Sequence, residues 1–230
     1  MYMISSHKKG ISSYQLAKDI EVTQATAWYM LQKVRKLYRQ DDSQCFQGTV
    51  ECDEVYIGGK EKWRHKSMRT PNTQGRSTKT KTPVFGMMQR GTDSTTIHVF
   101  VVKKADRDTL QTMIGQFVVK GSNIITDELS AYSGLNKLGY RHLVVNHGSE
   151  QYADGGTFTN SIEGFWSHFR RMIFGIYHNV SDEHLQDYID EVVYRWNMRK
   201  TPQTERFKDM FNKSIGLIVR WNELRLCEVG

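Results

Sequence analysis

The sequence predicts an α/β fold, a mixed sheet flanked by helices, with a small N-terminal all-α domain in front. Three observations lead there. Residues 11–39 carry apolar side chains at helical spacing, from residue 49 the period shifts towards two, and beyond residue 106 short apolar runs alternate with amphipathic segments. A chain of 230 residues suits one medium domain plus a small one.

The first two helices come from I-S-S-Y-Q-L-A-K-D-I, with Ile11, Tyr14 or Gln15, Leu16 and Ile20 on one stripe, and from T-Q-A-T-A-W-Y-M-L-Q-K-V-R-K-L-Y. Thr23 is suited to cap the second, in which Ala27, Met30, Leu31, Val34 and Leu37 or Tyr38 form the apolar stripe. Short polar residues in its first turn (Thr23, Gln24, Thr26), with Lys33, Arg35, Lys36 and Arg39 further along, match a helix-turn-helix that presents its second helix to base edges. A hairpin used for packing or dimerisation is the other reading, since the turn holds Glu21 where glycine is common. This domain spans 1–40, and 41–48 read as a linker.

T-V-E-C-D-E-V-Y-I-G is the first strand, ending at Gly58-Gly59. T-P-V-F-G-M-M-Q-R and S-T-T-I-H-V-F-V-V-K make a hairpin joined at Gly91-Thr92-Asp93. A helix follows over 106–119, with Leu110, Met113, Ile114 and Phe117 on one face. Next come a short buried strand S-N-I-I-T-D, a small helix through Tyr132 and Leu135, and the strand R-H-L-V-V-N-H. Residues 148–158 are a polar, glycine-rich loop, and helices are expected over 161–176, 181–199 and about 203–228, the last broken near Gly216. Three antiparallel strands, then helix, strand, helix, strand and helix, is the element order of an RNase H-like domain. It is assigned to 49–200, with 201–230 a C-terminal helical segment.

Composition narrows the function. A hydrophobic share of 38% and a mean hydropathy of −0.59 suit a soluble protein. No apolar run approaches the roughly 20 residues that span a bilayer. The N-terminus places basic residues after a very short apolar stretch, the reverse of an export signal. Cys45, Cys52 and Cys227 form no C-x-x-C pair, so neither a zinc site nor a disulfide framework is indicated and a reducing cytoplasm is expected. The net charge of +7 is concentrated: residues 60–81 hold eight Lys or Arg and one Glu, so this segment alone carries 8 − 1 = +7. Lys60, Lys62, Arg64, Lys66 and Arg69 there suit a phosphate backbone better than mere solubility.

The chemistry rests on three carboxylates. Asp53 lies in V-E-C-D-E-V-Y-I, Asp127 ends N-I-I-T-D, and Glu163, separated from Asp127 by thirty-five residues, lies in S-I-E-G-F-W-S-H-F-R-R. In an RNase H-like sheet the first and fourth strands are central neighbours, which sets Asp53 beside Asp127. Two magnesium ions about 4 Å apart can activate a nucleophile and stabilise a leaving oxygen, and magnesium asks for a few hard oxygen ligands only. Asp53 would bridge both ions, with Asp127 on one and Glu163 on the other. Each acid has a duller reading: Asp127 as a helix cap, Asp53 as a solvent-facing residue beside Glu51 or Glu54, and Glu163 in a capping box with Asn160 as N-cap. Glu163, Trp166 and Arg170 stand at i, i+3 and i+7 on one helix face, so Arg170 suits substrate phosphate, and Arg171 extends the basic surface. His142, His147, His178 and His184 lack ligand spacing. Trp166, Phe169, Ile173 and Tyr177 read as core, and Asn146 and His147 are weak candidates for substrate contact.

E-C-D-E-V-Y-I-G-G-K, I-T-D-E-L-S-A-Y, T-N-S-I-E-G-F-W-S-H-F-R-R and the run from Tyr177 to Arg199 resemble DDE transposases of the insertion sequence 1595 family, as does K-K-G-I-S-S-Y-Q-L-A-K-D-I-E-V-T-Q-A-T-A-W. The resemblance covers residues 8 to about 200. It implies a bacterial, nucleoid-associated enzyme that cuts and joins DNA at terminal inverted repeats. It further implies two Mg2+ ions, with Mn2+ able to substitute, double-stranded DNA as partner, an oligomeric active complex and no membrane. The catalytic aspartates fall on Asp53 and Asp127, and the third ligand on Glu163, with Asn160 as the alternative because family members carry either type. The family also implies a zinc ribbon ahead of the helix-turn-helix, whose cysteines are not in this sequence; a short variant or a truncated reading frame would explain that.

Overall fold

The computed structural model describes residues 1–41, 43–58, 65–68, 70, 79–91, 95–145, 159–178 and 180–217. Lys60, Lys62, Arg64, Arg69, Asn146, His147, the centre of the hairpin turn and everything from residue 218 onwards lie outside them. The chain falls into two units, residues 41–166 and residues 1–40 together with 167–230.

The first unit is built on a five-stranded sheet in the order β3-β2-β1-β4-β5, from Thr49–Ile57 (β1), Thr82–Gln89 (β2), Thr96–Val101 (β3), Asn123–Thr126 (β4) and Arg141–Val144 (β5). β1 pairs antiparallel with β2 and parallel with β4, so the sheet is mixed and β1 is central. This is the expected RNase H-like order. A central strand is covered on both faces, which is why β1 shows almost no exposed position. One face, through Val50, Cys52, Phe85, Met87 and Ile124, packs with Leu110, Ile114 and Phe117 of a helix, Arg107–Phe117, and with Tyr132, Leu135 and Tyr140. That helix starts where Asp106 accepts from the Thr109 N–H at 3.0 Å and stops at β-branched Val118. Burying these aliphatic and aromatic side chains contributes roughly 1.5–3 kcal/mol each. The opposite face carries Glu51, Asp53 and Val55 and receives the helix Asn160–Met172.

The duller reading of Asp53, as a solvent-facing residue beside Glu51 or Glu54, does not hold. Glu51 is fully buried, Glu54 nearly so, and Asp53 largely so. Each carboxylate is compensated: Glu54 accepts from the Tyr132 hydroxyl at 2.8 Å, and Glu51 pairs with Arg90 at 2.6 Å.

In the second unit, helices Ser13–Asp19 and Gln24–Arg35 are capped by Ser12 and Thr23. Tyr2–Ser6, a short helix with no expected counterpart, shares an apolar cluster with them: Ile4, Ile11, Leu16, Ala17, Ala27, Leu31, Tyr38, Tyr194 and Met210. The expected stripe through Met30 is corrected, since Met30 is exposed and the buried side runs instead through Gln32 and Arg35. Arg35 is buried because Glu191 of the helix Leu185–Asn197 accepts from its Nε at 2.9 Å and the Tyr188 ring lies 3.8 Å from its guanidinium. Arg195 shares Glu191 at 2.7 Å and donates to the His7 carbonyl at 2.6 Å. Burial alone would raise the Glu191 carboxyl, but Arg195 and Arg35 more than offset it and hold it below its ordinary range. Gln203–Ser214 is the last described helix, closed by a turn in which Gly216 takes a left-handed φ of 83°.

Candidate active site

The helix Asn160–Met172 is the fifth α-helix among the described residues, α5. Asp53 and Asp127 come together through strand register. On the parallel pair β1/β4, Glu51 faces Ile125, and two residues further along each strand stand Asp53 and Asp127. Both aspartates therefore follow the paired stretch of two adjacent parallel strands, and the charge of Asp127 acts on Asp53. Asp127 falls one residue past β4, and its Oδ1 accepts from the Leu129 N–H at 3.0 Å, a turn that fixes its carboxylate where the strand ends.

Both oxygens of Asp53 are engaged. The Glu54 N–H donates to Oδ1 at 2.9 Å and the Trp166 indole Nε1–H to Oδ2 at 3.0 Å. The indole can reach because Gly86 is the residue paired with Asp53 across β1/β2. A Cβ at Gly86 would stand 2.7 Å from the Trp166 ring, so the strand carries a glycine where the ring lies on it.

Glu51 serves the same helix one step back. Its Oε2 accepts from the Ile162 N–H at 2.9 Å while its Oε1 pairs with Arg90. A helix N-terminus leaves N–H groups without intrahelical acceptors, and a carboxylate on the sheet takes one of them. The capping box expected around Asn160 is therefore corrected. Asn160 is the first helical residue, the hydroxyl of Thr159 before it donates to Glu163 Oε1 at 3.1 Å, and Glu51 takes the Ile162 N–H.

The electrostatics bind the three expected acids into one neighbourhood. Burial pushes the Asp53 carboxyl up to about 6, the Glu54 N–H opposes the rise, the charge on Asp127 adds to it, the Trp166 indole opposes it, and the charge on Glu163 adds a smaller push. Asp53 thus feels both Asp127 and Glu163. Glu163 and Asn160 are exposed at the start of α5, one turn apart.

The donor set suits a hard divalent cation. A carboxylate has about four lone-pair positions, and the two hydrogen bonds to Asp53 leave capacity on each oxygen. Among the described residues, no group of three or more His, Cys, Asp or Glu side chains is arranged to hold a metal ion. A two-ion site asks for less from the protein, because each ion takes two carboxylates and fills its remaining positions with water and phosphate.

The other expected residues are spread more widely. Arg170 and Arg171 are exposed in the last turn of α5, and Lys66 is exposed in a short 3₁₀ turn. Thr23 caps its helix by accepting from the Thr26 N–H at 3.2 Å, and Gln24 donates to Ser13 at 2.8 Å, so both side chains are engaged in building the helix pair. Lys33 lies 4.6 Å from the Tyr29 ring, and Thr26 is exposed. His142 meets the Thr126 hydroxyl at 2.9 Å, and burial holds its pKa below the ordinary value. Glu51, Gly86 and the Trp166 indole are the parts that sequence reasoning missed. A glycine inside an apolar strand and a glutamate in a buried one were the available signals.

No curated protein matches the sequence. Among solved structures the chain is similar to a chain of the simian T-cell lymphotropic virus intasome in complex with the PP2A regulatory subunit B56 gamma, at 11% identity over 87% of this chain and 69% of that one, with a TM-score of 0.39. It is also similar to the pre-cleavage Mos1 transpososome, at 12% identity over 91% and 75% with a TM-score of 0.35, and to the Mos1 paired-end complex with the left transposon end, at 12% over 88% and 74% with a TM-score of 0.34. The model of the ISXO2-like transposase domain matches residues 45–197, two thirds of the sequence and all five strands, and the chain therefore belongs to the ISXO2-like transposase family.

Proposed function

We propose that this chain cleaves DNA at the ends of an insertion element and joins them to target DNA, using two divalent metal ions held by Asp53, Asp127 and Glu163. The observation that carries the reading is that Asp53 and Asp127 both follow the paired stretch of the parallel neighbours β1 and β4, in a neighbourhood where Asp53 feels the charges of Asp127 and Glu163. Asp53 would serve both ions, Asp127 one and Glu163 the other. When bound, such ions make water or a 3′ hydroxyl nucleophilic and neutralise the leaving oxygen.

The chain's own residues do the positioning. The Glu54 and Trp166 N–H groups hold Asp53, the Leu129 N–H holds Asp127, and the Thr159 hydroxyl meets Glu163. With a pKa of about 6, Asp53 is mostly ionised at neutral pH and ready to accept a cation. Arg170, Arg171 and the basic run 60–81 supply positive charge for phosphate, and the helix pair with Thr23, Gln24, Thr26 and Lys33 is the candidate reader of the terminal repeats. Glu163 is preferred to Asn160 as third ligand because of its spacing from Asp127 and because Arg170 stands two turns beyond it on the same helix face.

An oligonucleotide carrying the element's terminal repeat, incubated with Mg2+ and target DNA, tests the proposal. Joined products that disappear in Asp53→Ala and Asp127→Ala, with DNA binding retained, are expected. Cut products alone would make the protein a nuclease, and shifted but intact DNA would make it a binder. Loss of chemistry in Asn160→Ala but not in Glu163→Gln would move the third ligand to Asn160.

A further inference from the structure

We propose that Trp166 is a positioning residue for metal binding: its indole, seated on Gly86, holds the Asp53 carboxylate in the orientation that accepts divalent cations. The inference rests on the reading of Asp53 as a metal ligand and goes beyond it, since it assigns a role to an aromatic residue otherwise read as core.

Three observations carry it. Trp166 is 2% exposed yet spends its only polar atom on Asp53 Oδ2, at 3.0 Å. A buried indole N–H needs an acceptor, so the bond is obligatory for the ring and fixes one carboxylate oxygen. The residue paired with Asp53 is Gly86, where any Cβ would come within 3.0 Å of two ring carbons, so the strand sequence is committed to this ring placement. Finally, the helix that carries Trp166 is fixed one turn earlier by Glu51, whose Oε2 takes the Ile162 N–H. Glu51 and Asp53 are two residues apart on one strand face, and Ile162 and Trp166 are four apart on one helix face. The two bonds run side by side and leave the indole little freedom to rotate or slide. With Oδ1 held by the Glu54 N–H, the carboxylate has both oxygens oriented and acceptor capacity left on each.

Partners of this kind, which orient a metal ligand without touching the metal, typically contribute 10–100-fold to metal affinity. Trp166→Phe keeps the ring and deletes only the donor. We expect it to weaken Mn2+ binding, measured calorimetrically on the full chain, by about tenfold. Gly86→Ala, which retains the indole N–H but displaces the ring and so moves that N–H off Asp53, should weaken it comparably. Wild-type Mn2+ affinity in both variants would overturn the proposal and leave Trp166 as packing.

Asp53→Asn separates this from the underlying reading. If it abolishes Mn2+ binding while Trp166→Phe does not change it, only the positioning role fails; if Asp53→Asn also leaves binding intact, the metal assignment fails first. A measurement on the unaltered protein covers the case in which the variants do not fold. Of the five tryptophan indole N–H resonances in a 15N spectrum, that of Trp166 should be broadened most by Mn2+. An unaffected Trp166 resonance at saturating Mn2+ overturns the proposal.

Discussion

Asp53→Asn should make the metal-free protein more stable while removing its chemistry. The carboxyl has an ordinary value of 3.8 and is pushed up to about 6, so folding raises it by about two pH units. Each unit corresponds to about 1.4 kcal/mol, which sets the cost of holding the ionised group in the fold at no more than about 3 kcal/mol. Because the folded state holds the proton more tightly, the penalty is present in full above about pH 6, shrinks as pH falls, and is gone below about pH 4. Asparagine removes the charge and its carbonyl can still accept from the Trp166 indole, while its amide NH2 forfeits the bond from the Glu54 N–H at a cost of about 1 kcal/mol, so a net gain remains. In Mg2+-free buffer at pH 7.5 its Tm should exceed wild type by several degrees, and the two curves should converge towards pH 4. Adding Mg2+ should then raise the wild-type Tm and leave the variant unmoved, because an ion that binds only the folded state stabilises it by mass action. A variant no more stable than wild type at pH 7.5, or a difference that grows as pH falls, would refute the electrostatic account of this site.

Four further outcomes follow from the same structure. Glu51→Ala strands Arg90 and the Ile162 N–H and should destabilise the fold by about 3–5 kcal/mol in denaturant titration, whereas Glu51→Gln, which can still accept from Ile162, should lose less. Glu191→Ala leaves Arg35 and Arg195 buried without their shared carboxylate and should cost about the same, read as a loss of Tm; a change below 1 kcal/mol would mean that the cluster is solvated. Thr23→Ala removes the cap on its helix at a cost of about 1 kcal/mol, and Thr23→Asp should restore it. Arg170→Ala and Arg171→Ala together should lower DNA affinity and flatten its dependence on salt concentration in a mobility-shift titration, with circular dichroism unchanged, since both side chains are exposed.

The sheet was legible because its signals are local. Alternation marks β1 to β3, short apolar runs mark β4 and β5, and Thr23 announces its helix by the polar residues that follow it. That Asp53 and Asp127 would stand on neighbouring strands followed from element order alone, because β1 and β4 are central partners in this topology. The capping of α5 could not be read from its own residues. A local rule pointed to Asn160, while the acceptor that takes the Ile162 N–H belongs to Glu51, 111 positions away. Arg35 was missed for the same reason: nothing on its own helix announces burial, which Glu191 and the rings of Tyr188 and Tyr177 make tolerable. Periodicity sees one element at a time, and these residues are defined by a second.

Glu51 and Asp53 make the division of labour on β1 explicit. They sit two apart on one strand, face the same helix and are both acids, yet their surroundings drive them in opposite directions. Glu51 is saturated: Arg90 takes one oxygen and the Ile162 N–H the other, and the group is fully buried. Asp53 accepts from two neutral donors and lies within reach of the charges of Asp127 and Glu163. A group that only held the fold together would gain from the first environment and lose in the second. Concentrating like charges costs stability, and under the proposed function a divalent cation bound only by the folded state would return it. The saturated acid anchors α5 through the Ile162 N–H, and the same helix brings the Trp166 indole to the acid that is not saturated.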